Sequence, residues 1–283
     1  MAIAASVPSG PTKAKLNYPA LPPAGQVPYY YVGAVPEGEQ PTNVELVPIE
    51  TEIEDIRGRE SEFTLDHDAF QVIQNVPPSK ETEFVDDESI KKNYYPEIEK
   101  LLLDNIPGSN RVFIFDHTIR RSEPDAFRSP VQRVHIDQTP ASAKVRVHRH
   151  LPDEAEELLK GRYRIVNVWR SLNKKPIEAM PLAYASSASL ADKDVFAVEH
   201  RHETLKGAST AGISFSPNQK WYYLSGMVGS EYLLLECFDS EGLKEGSGVA
   251  GGRAAHTAFD HPLTKPDAIG RESIEIRTLV FGP

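Results

Sequence analysis

Short runs of β-branched and aromatic residues recur along this chain, and each run is closed by turn-forming residues. Runs of this kind, bounded by Gly, Pro, Asn or Asp, are typical of strands in an all-β architecture. The 23 prolines also keep most of the chain from forming long helices. The pattern predicts strands at 27–33, 44–50, 70–74, 111–119, 133–137, 163–169, 220–226, 232–238 and 274–281.

Two segments have helical periodicity instead. Residues 86–106 are polar, with apolar side chains at helical spacing, and Pro96 is placed to start a second helix within them. Residues 152–161 begin with proline and acidic residues and end in glycine, as a capped short helix does. Many short strands with few helices predict a mainly β fold with flanking α-helices, either a sandwich or a jelly roll.

The chain contains no internal repeat and no linker between two cores, which favours one domain. We expect residues 1–25, which are rich in Pro, Gly and Ala, to be a flexible N-terminal arm. Residues 26–283 are then the single domain. The aromatic segment 27–33 fits either a core strand or a subunit interface, so a homodimer is an open expectation.

The charge and cysteine content exclude several kinds of partner. A net charge of −10 leaves no basic surplus to meet phosphates, so we expect no nucleic acid and no anionic membrane as partner. No apolar run reaches membrane-spanning length, and the first residues lack the features of a secretory signal. The single cysteine, Cys237, precludes an internal disulfide and indicates a reducing compartment, which predicts a cytoplasmic protein.

The tripeptide His135-Ile136-Asp137 lies in the predicted strand 133–137. Because side chains alternate along a strand, His135 and Asp137 share one face. A distant histidine, His256, completes a set of two imidazoles and one carboxylate. That set is the facial triad of non-haem Fe(II) oxygenases, which leaves positions open for a co-substrate and dioxygen. The alternative is that His135 is a hydrogen-bonded core histidine and Asp137 a turn residue.

Other histidines are weaker candidates for metal binding. His148 and His150, followed by Glu154, resemble the H-x-H-x-x-x-E signature of cupin barrels. However, Glu154 falls in the first turn of the predicted helix, where the helix dipole explains an acidic residue. His261 is a rival to His256, but it lies in a turn-like Asp-His-Pro sequence, which favours His256.

The last predicted strand places two arginines on one face. By alternation, Arg271, Ser273, Glu275 and Arg277 point one way and the isoleucines between them point the other. Buried cations need an anionic partner, and a guanidinium binds a carboxylate in bidentate fashion, aided by a neighbouring hydroxyl. A dicarboxylate such as 2-oxoglutarate meets this need and also chelates iron through its 2-oxo acid end. The alternative is that Glu275 or another acid pairs with the arginines at the surface.

Several sequence blocks resemble the fungal AsaB-like and CmcJ-like oxygenase family. These blocks are NYYPEIEKLLLDN, RVFIFDHTIRR, RVHIDQTP, YRIVNVWRSL, WYYLSGMVGSEYLLLECFDS and HTAFDHP with RESIEIRTLVF. They occur in the family's order over residues 25–281, nearly the whole chain. The resemblance implies a cupin-like double-stranded β-helix that uses Fe(II), 2-oxoglutarate and O2 in secondary metabolism.

The resemblance also implies site residues. His135 and Asp137 match the family's H-x-D, and His256 matches its distal histidine, although Ala-Ala precedes it where the family has proline. Arg271, with Ser273 after it, resembles the R-x-S element that holds the distal carboxylate of 2-oxoglutarate in related oxygenases. The gap between the distal histidine and this arginine is longer than in some relatives, so the later arginine of the strand, at position 277, stays an alternative anchor.

Further family-like blocks imply residues that bind substrate: Tyr94, Arg120, Asn167, Trp169 and Arg170. Asn167 and Trp169 are two residues apart in a predicted strand and therefore share a face. The alternatives are that Trp169 is a core anchor and that Arg120 is solvated.

The sequence thus predicts an Fe(II)/2-oxoglutarate-dependent dioxygenase that abstracts a hydrogen from a C–H bond of a small molecule. Hydroxylation, desaturation and ring closure diverge after that step, so the sequence leaves the outcome open. Two alternatives remain at this point. One is an iron oxygenase or oxidase that does not use 2-oxoglutarate, and the other is a non-catalytic β-sandwich binding protein whose histidines are core residues.

Overall fold

A computed structural model describes residues 7–122, 129–201 and 208–282. The strands in these residues are β1 (Thr12–Pro19), β2 (Tyr29–Tyr31), β3 (Leu46–Asp55), β4 (Phe70–Ile73), β5 (Arg111–Arg121), β6 (His135–Ile136), β7 (Arg162–Ser171), β8 (Leu182–Ala185), β9 (Val195–Arg201), β10 (Ser209–Ile213), β11 (Trp221–Tyr223), β12 (Tyr232–Asp239), β13 (His256–Ala258) and β14 (Glu272–Gly282). The α-helices are α1 (Leu65–Asp68), α2 (Asp87–Asn93), α3 (Tyr95–Asn105), α4 (Pro140–His150) and α5 (Ala155–Leu158).

The strands form two sheets that share a core. One sheet has the order β1-β3-β11-β8-β13-β6-β10-β9-β2, and the other has the order β4-β12-β7-β14-β5. Trp169 and Leu235 of the second sheet pack with Tyr184 and Tyr222 of the first. This arrangement confirms the expected mainly β jelly roll with flanking helices. Within the described ranges, no helix combines the length and the apolar character needed to cross a membrane.

The five-stranded sheet has two chemically different faces, because side chains alternate along β7 and β14. Val166, Val168, Ile274 and Ile276 are buried on its outer face, which α2 and α3 cover. Apolar side chains of the helical segment pack against them, including Ile90, Tyr94, Ile98 and Leu102. The inner face, directed toward the nine-stranded sheet, therefore carries the alternate residues of the same strands, many of which are polar.

Part of the expected N-terminal arm is an edge strand instead. β1 pairs with β3 in antiparallel register along its whole length. Leu16 and Tyr18 are almost fully buried, whereas Lys15 is exposed. The sequence KAKLNY alternates polar and apolar residues, as a strand does, but its Pro- and Gly-rich flanks favoured the interpretation as an arm. The expectation of a flexible arm over 1–25 is therefore wrong for Thr12–Pro19. The single domain over 26–283 stays a prediction.

Helix α4 lies in a segment for which the sequence predicted no helix. Thr139 caps it by accepting a hydrogen bond from the backbone N–H of Ser142, and Pro140 occupies its first turn. The helix expected over 152–161 is reduced to the four residues of α5. Strands β8, β9, β10 and β13 were also missed, since sequences such as LAYA and STAGI have little intrinsic strand preference and depend on their neighbours.

We expect Leu16→Ala to lower the free energy of unfolding by about 2–5 kcal/mol, because it leaves a cavity under β1. Lys15→Ala, one residue away on the exposed face, should change it by less than ~0.5 kcal/mol. Urea unfolding followed by circular dichroism checks both variants. Equal stability of the two variants would mean that this segment is not an integral strand.

Candidate active site

His256 and His135 are cross-strand neighbours in the nine-stranded sheet. β13 pairs with β6 in antiparallel fashion, and His256 lies directly opposite His135. Both residues are buried, and their ring centroids are 4.4 Å apart. Asp137 follows β6 immediately, although the strand is shorter than predicted. One possible ligand atom from each of the three residues lies within 4.8 Å of the others, so the predicted triad is brought together.

Backbone carbonyls fix which nitrogen of each imidazole faces the centre of this cluster. His135 Nδ1 lies 2.7 Å from the Arg133 carbonyl oxygen, and His256 Nδ1 lies 3.2 Å from the Ala254 carbonyl oxygen. Because a carbonyl oxygen only accepts, we assign the proton of each ring to Nδ1. The unprotonated Nε2 atoms then face Asp137, whose Oδ1 is 3.2 Å from Nε2 of His135 and 3.9 Å from Nε2 of His256.

Three electron-pair donors therefore converge with no proton between them. Burial acts to raise the pKa of Asp137, but its charged surroundings, which include the Arg277 guanidinium, hold it well below its usual range, so the group is a carboxylate. Burial lowers the pKa of His256, and the neighbouring imidazole acts in the same direction, so this ring stays neutral. Lone pairs that face one another repel unless a cation lies between them. Two imidazole nitrogens and one carboxylate oxygen form a donor set that suits Fe(II).

Arg271, immediately before β14, is a cation that is only 2% exposed. Its Nη1 donates to the Met180 carbonyl oxygen at 2.8 Å, whereas its Nε has no hydrogen-bond partner among the described residues. Its guanidinium carbon lies 5.2 Å from the centroid of the Trp169 ring. Burial, reinforced by the charge of Arg120, lowers the pKa of Arg271 to about 9. An anion beside this guanidinium would remove the cost of burying its charge.

Arg277 has a different environment, because carboxylates surround it. Its Nη1 donates to Asp116 at 2.9 Å, its Nη2 lies 2.6 Å from Glu275 Oε1, and its Nε lies 3.7 Å from Asp137 Oδ2. Although burial acts to lower the pKa of Arg277, these acids raise it. The expected pairing with Glu275 is present, but Glu275 is buried and not at the surface. Of the two candidate arginines, Arg271 is thus the one with an unused buried donor.

Three of the residues expected to bind substrate lie on the inner face of the five-stranded sheet. Asn167 and Trp169 share that face, as predicted, and Asn167 Nδ2 donates to Asp137 Oδ2 at 2.7 Å. Arg120 is on the same face, opposite Ser273 in the register of β5 and β14. Ser273 is 1% exposed. Their binding roles remain predictions.

Tyr94 and Arg170 lie on the other side of this sheet, away from Asn167 and Trp169, and their expected binding of substrate stays a prediction. Arg170 is three residues from Asn167 and points outward because side chains alternate along β7. Its guanidinium carbon lies 5.6 Å from the centroid of the Tyr94 ring, and a second ring, that of Tyr232, is 5.3 Å away. Tyr94 itself is fully buried between α2 and α3. These two side chains anchor the helices to the sheet.

The remaining histidines singled out by the sequence lie outside the cluster. His261 Nδ1 accepts from the backbone N–H of Leu263 at 3.1 Å, and its Nε2 lies 3.3 Å from the Tyr223 hydroxyl. His148 and His150 are on α4 and not in a loop. Within the described residues, no second group with three potential metal ligands is found.

Sequence reasoning missed several residues around the site. Asp116 and Thr118 lie on β5 in the same alternation as Arg120, a periodicity that could have revealed them. Tyr184 lies directly opposite His256 on β8, a strand that was not predicted. Met180 adopts φ 53°, a left-handed conformation uncommon for a side-chain-bearing residue, and presents its carbonyl oxygen to an arginine. No sequence pattern predicts this contact between the Met180 carbonyl oxygen and Arg271.

Comparison with known proteins agrees with this fold and site. Residues 16–281 match the family described as oxidoreductase/YMDC permease-like domain. The hydroxylase/desaturase poxK of Penicillium oxalicum is 39% identical over 271 residues, which cover 87% of this chain and 83% of poxK. The Fe(II)/2-oxoglutarate-dependent dioxygenase nvfI of Aspergillus novofumigatus is 32% identical over 260 residues, which cover 90% of each protein.

A solved structure of the iron and alpha-ketoglutarate-dependent endoperoxidase NvfI matches with a TM-score of 0.87 and 28% identity, over 97% of this chain and 99% of that one. The hydroxylase/desaturase asaB of Aspergillus flavus is 41% identical over 140 residues, 45% of this chain and 59% of asaB. Fold and site define the class of this protein, a jelly-roll oxidoreductase that depends on Fe(II) and 2-oxoglutarate. Within that class the chain belongs to the AsaB-like family of hydroxylases and desaturases, which confirms the expected family.

The buried His261 generates a prediction about pH. Burial lowers the pKa of His261, so the unfolded chain, with a histidine pKa of about 6.5, takes up a proton that the folded state resists. Stability should therefore fall as the pH drops below ~6.5. We expect His261→Asn, whose side-chain oxygen can still accept from Leu263, to lose less stability between pH 7 and pH 5.5 than the parent.

Urea unfolding at the two pH values measures this difference. His148→Asn is the matched control, because His148 is exposed. An unchanged pH dependence in His261→Asn would contradict the prediction.

Proposed function

We propose that this chain oxidises a C–H bond of a small secondary metabolite, with His135, Asp137 and His256 as the iron ligands. Arg271, assisted by Ser273, binds the distal carboxylate of 2-oxoglutarate. The observation that carries this proposal is the convergence of two unprotonated imidazole nitrogens and one carboxylate oxygen in a buried site. A non-catalytic sandwich has no physical reason to bury three such donors against one another.

The position of Arg271 supports its role as the anchor of the co-substrate. Its guanidinium lies over Trp169, and Asn167, two residues along the same face of β7, contacts the proposed ligand Asp137. Two residues along a strand span roughly 7 Å. That separation suits a five-carbon dicarboxylate extended from the arginine to the metal. Arg277 is a poor rival for this role because its donors already face carboxylates of the chain.

The chain's own residues bind and orient the co-substrate and shield it from water. Arg271 supplies the positive charge that selects a dicarboxylate, and Ser273, two residues further along, faces the same side. Trp169 covers the guanidinium and keeps water from it. When bound, Fe(II) with 2-oxoglutarate and O2 supplies the oxidant that removes a hydrogen atom from the substrate.

The reaction class is supported by the relatives, which are named as hydroxylases/desaturases and an endoperoxidase. Because these outcomes differ among proteins of similar fold, the proposal extends to the shared C–H abstraction and not to one product. Arg120 and Trp169 are the side chains proposed to meet the substrate, which would be a compound with a polar or anionic group. A cytoplasmic location is part of the proposal and is supported by Cys237, a buried free thiol.

The test of the metal assignment is an anaerobic titration of the purified protein with Fe(II) in the presence of 2-oxoglutarate. We expect one equivalent of Fe(II) and a metal-to-ligand charge-transfer band in the visible spectrum. His135→Ala should lose both, because it removes one of three ligands. His148→Ala, which alters an exposed histidine, should retain both. Iron binding without the band would favour an oxygenase that does not use 2-oxoglutarate.

Arg271→Met should weaken 2-oxoglutarate binding by roughly 10- to 100-fold, the effect of losing charge-assisted hydrogen bonds worth about 1.5–3 kcal/mol. Fe(II) affinity should stay near that of the parent, because Arg271 does not touch the ligand cluster. Titration of the charge-transfer band with 2-oxoglutarate measures the effect, with the exposed cation in Lys175→Met as control. A loss in Arg277→Met but not in Arg271→Met would assign the anchor to the other arginine.

A further inference from the structure

The two carboxylate oxygens of Asp137 face different neighbours. Oδ1 points to the imidazoles, 3.2 Å from His135 Nε2 and 3.9 Å from His256 Nε2. Oδ2 points away from them and accepts from Asn167 Nδ2 at 2.7 Å. Arg277 Nε lies 3.7 Å from the same Oδ2. One oxygen is thus directed to the metal cluster, while the other is held by donors of the five-stranded sheet.

Asn167 is held rigidly enough to impose this orientation. It is fully buried in the middle of β7, which has β12 on one side and β14 on the other. Its cross-strand neighbours are Leu235 and Arg277. A side chain in the centre of a paired sheet has few alternative positions, so its donor points to one place.

The amide of Asn167 has only one chemically acceptable orientation. If its Nδ2 and Oδ1 exchanged places, an amide oxygen would face the Oδ2 of Asp137, and two acceptors would repel. In the observed orientation the Oδ1 of Asn167 has no hydrogen-bond partner among the described residues. A buried acceptor without a partner is costly. The chain tolerates that cost while preserving the hydrogen bond to Asp137.

We infer that Asn167 is a positioning residue that makes Asp137 bind iron through Oδ1 alone. This inference rests on the proposed function, since it concerns the same metal site. A carboxylate that binds through both oxygens would occupy an additional coordination position. By reserving Oδ2, Asn167 would leave the remaining coordination positions of the ion to the co-substrate and dioxygen. Asn167 therefore acts through Asp137 and not through the substrate, which revises its expected role.

The test compares Asn167→Leu, which removes the donor but keeps the number and branching of side-chain heavy atoms, with Thr278→Val. Thr278 is also fully buried on the same sheet, but its hydroxyl donates to the Val166 carbonyl oxygen and not to Asp137. Thr278→Val therefore removes a buried hydrogen bond without touching the metal site. Asn167→Val, a smaller substitution that suits a strand, is the second variant if Asn167→Leu does not fold.

Fe(II) affinity, measured by anaerobic titration against a competing chelator, is the first readout. Loss of an outer partner of a metal ligand typically costs about 10- to 100-fold in metal affinity. We expect that loss in the Asn167 variant and less than about a twofold change in Thr278→Val. Equal affinities in the two variants would overturn the inference.

The second readout counts open positions and does not depend on turnover. Nitric oxide binds where dioxygen would bind and gives an S = 3/2 electron paramagnetic resonance signal with Fe(II). At saturating Fe(II) and 2-oxoglutarate, we expect the parent and Thr278→Val to give a full signal, and the Asn167 variant to give a reduced one. An undiminished signal in the Asn167 variant would overturn the claim that Asn167 keeps Asp137 to one oxygen. Failure of the parent itself to bind Fe(II) would instead sink the proposed function.

Discussion

The pairing of β13 with β6 is the interaction on which the rest of this site depends. It places His256 directly opposite His135, although the two are far apart in sequence. A shift of one residue in this register would turn one imidazole to the opposite face of the sheet. Both strands are very short, so they depend on β8 and β10 beside them to fix their positions. The site is therefore assembled by sheet formation and not by a local motif.

Two arginines that look equivalent in sequence have opposite electrostatic situations. Arg277 balances the acids around the cluster, so it belongs to the structure of the site. Arg271 is buried with an unused donor and a lowered pKa, which is a costly state for a cation. An anionic ligand beside this guanidinium would offset the cost of burying its charge, as proposed for 2-oxoglutarate. This contrast is the reason for proposing Arg271 as the anchor. Alternation along the strand could not distinguish the two arginines, because it gives both residues the same face.

The sequence carried enough information to predict the jelly roll, the His-Asp-His set and the inner-face location of Asn167 and Trp169. These features follow from strand periodicity and from the resemblance to a family. Other features depended on tertiary context. β8 and β10 consist largely of small residues, and α4 begins at a threonine and a proline that equally suit a turn. Arg170 lies three residues from Asn167, so alternation along β7 already turns it to the outer face. The burial of Tyr94 depends on helix packing against the sheet, which no strand pattern indicates.

The division of labour between the faces of the five-stranded sheet has an evolutionary consequence. Its outer face carries Val166, Val168, Ile274 and Ile276, which hold the helices and supply cohesion. Its inner face carries polar residues directed toward the His-Asp-His cluster, including Asn167 and Arg277. Inner-face and outer-face residues alternate along one strand. Substitutions on the inner face can therefore change the reaction without altering the hydrophobic layer on the outer face. Such decoupling would let a single scaffold diversify into catalysts with different products.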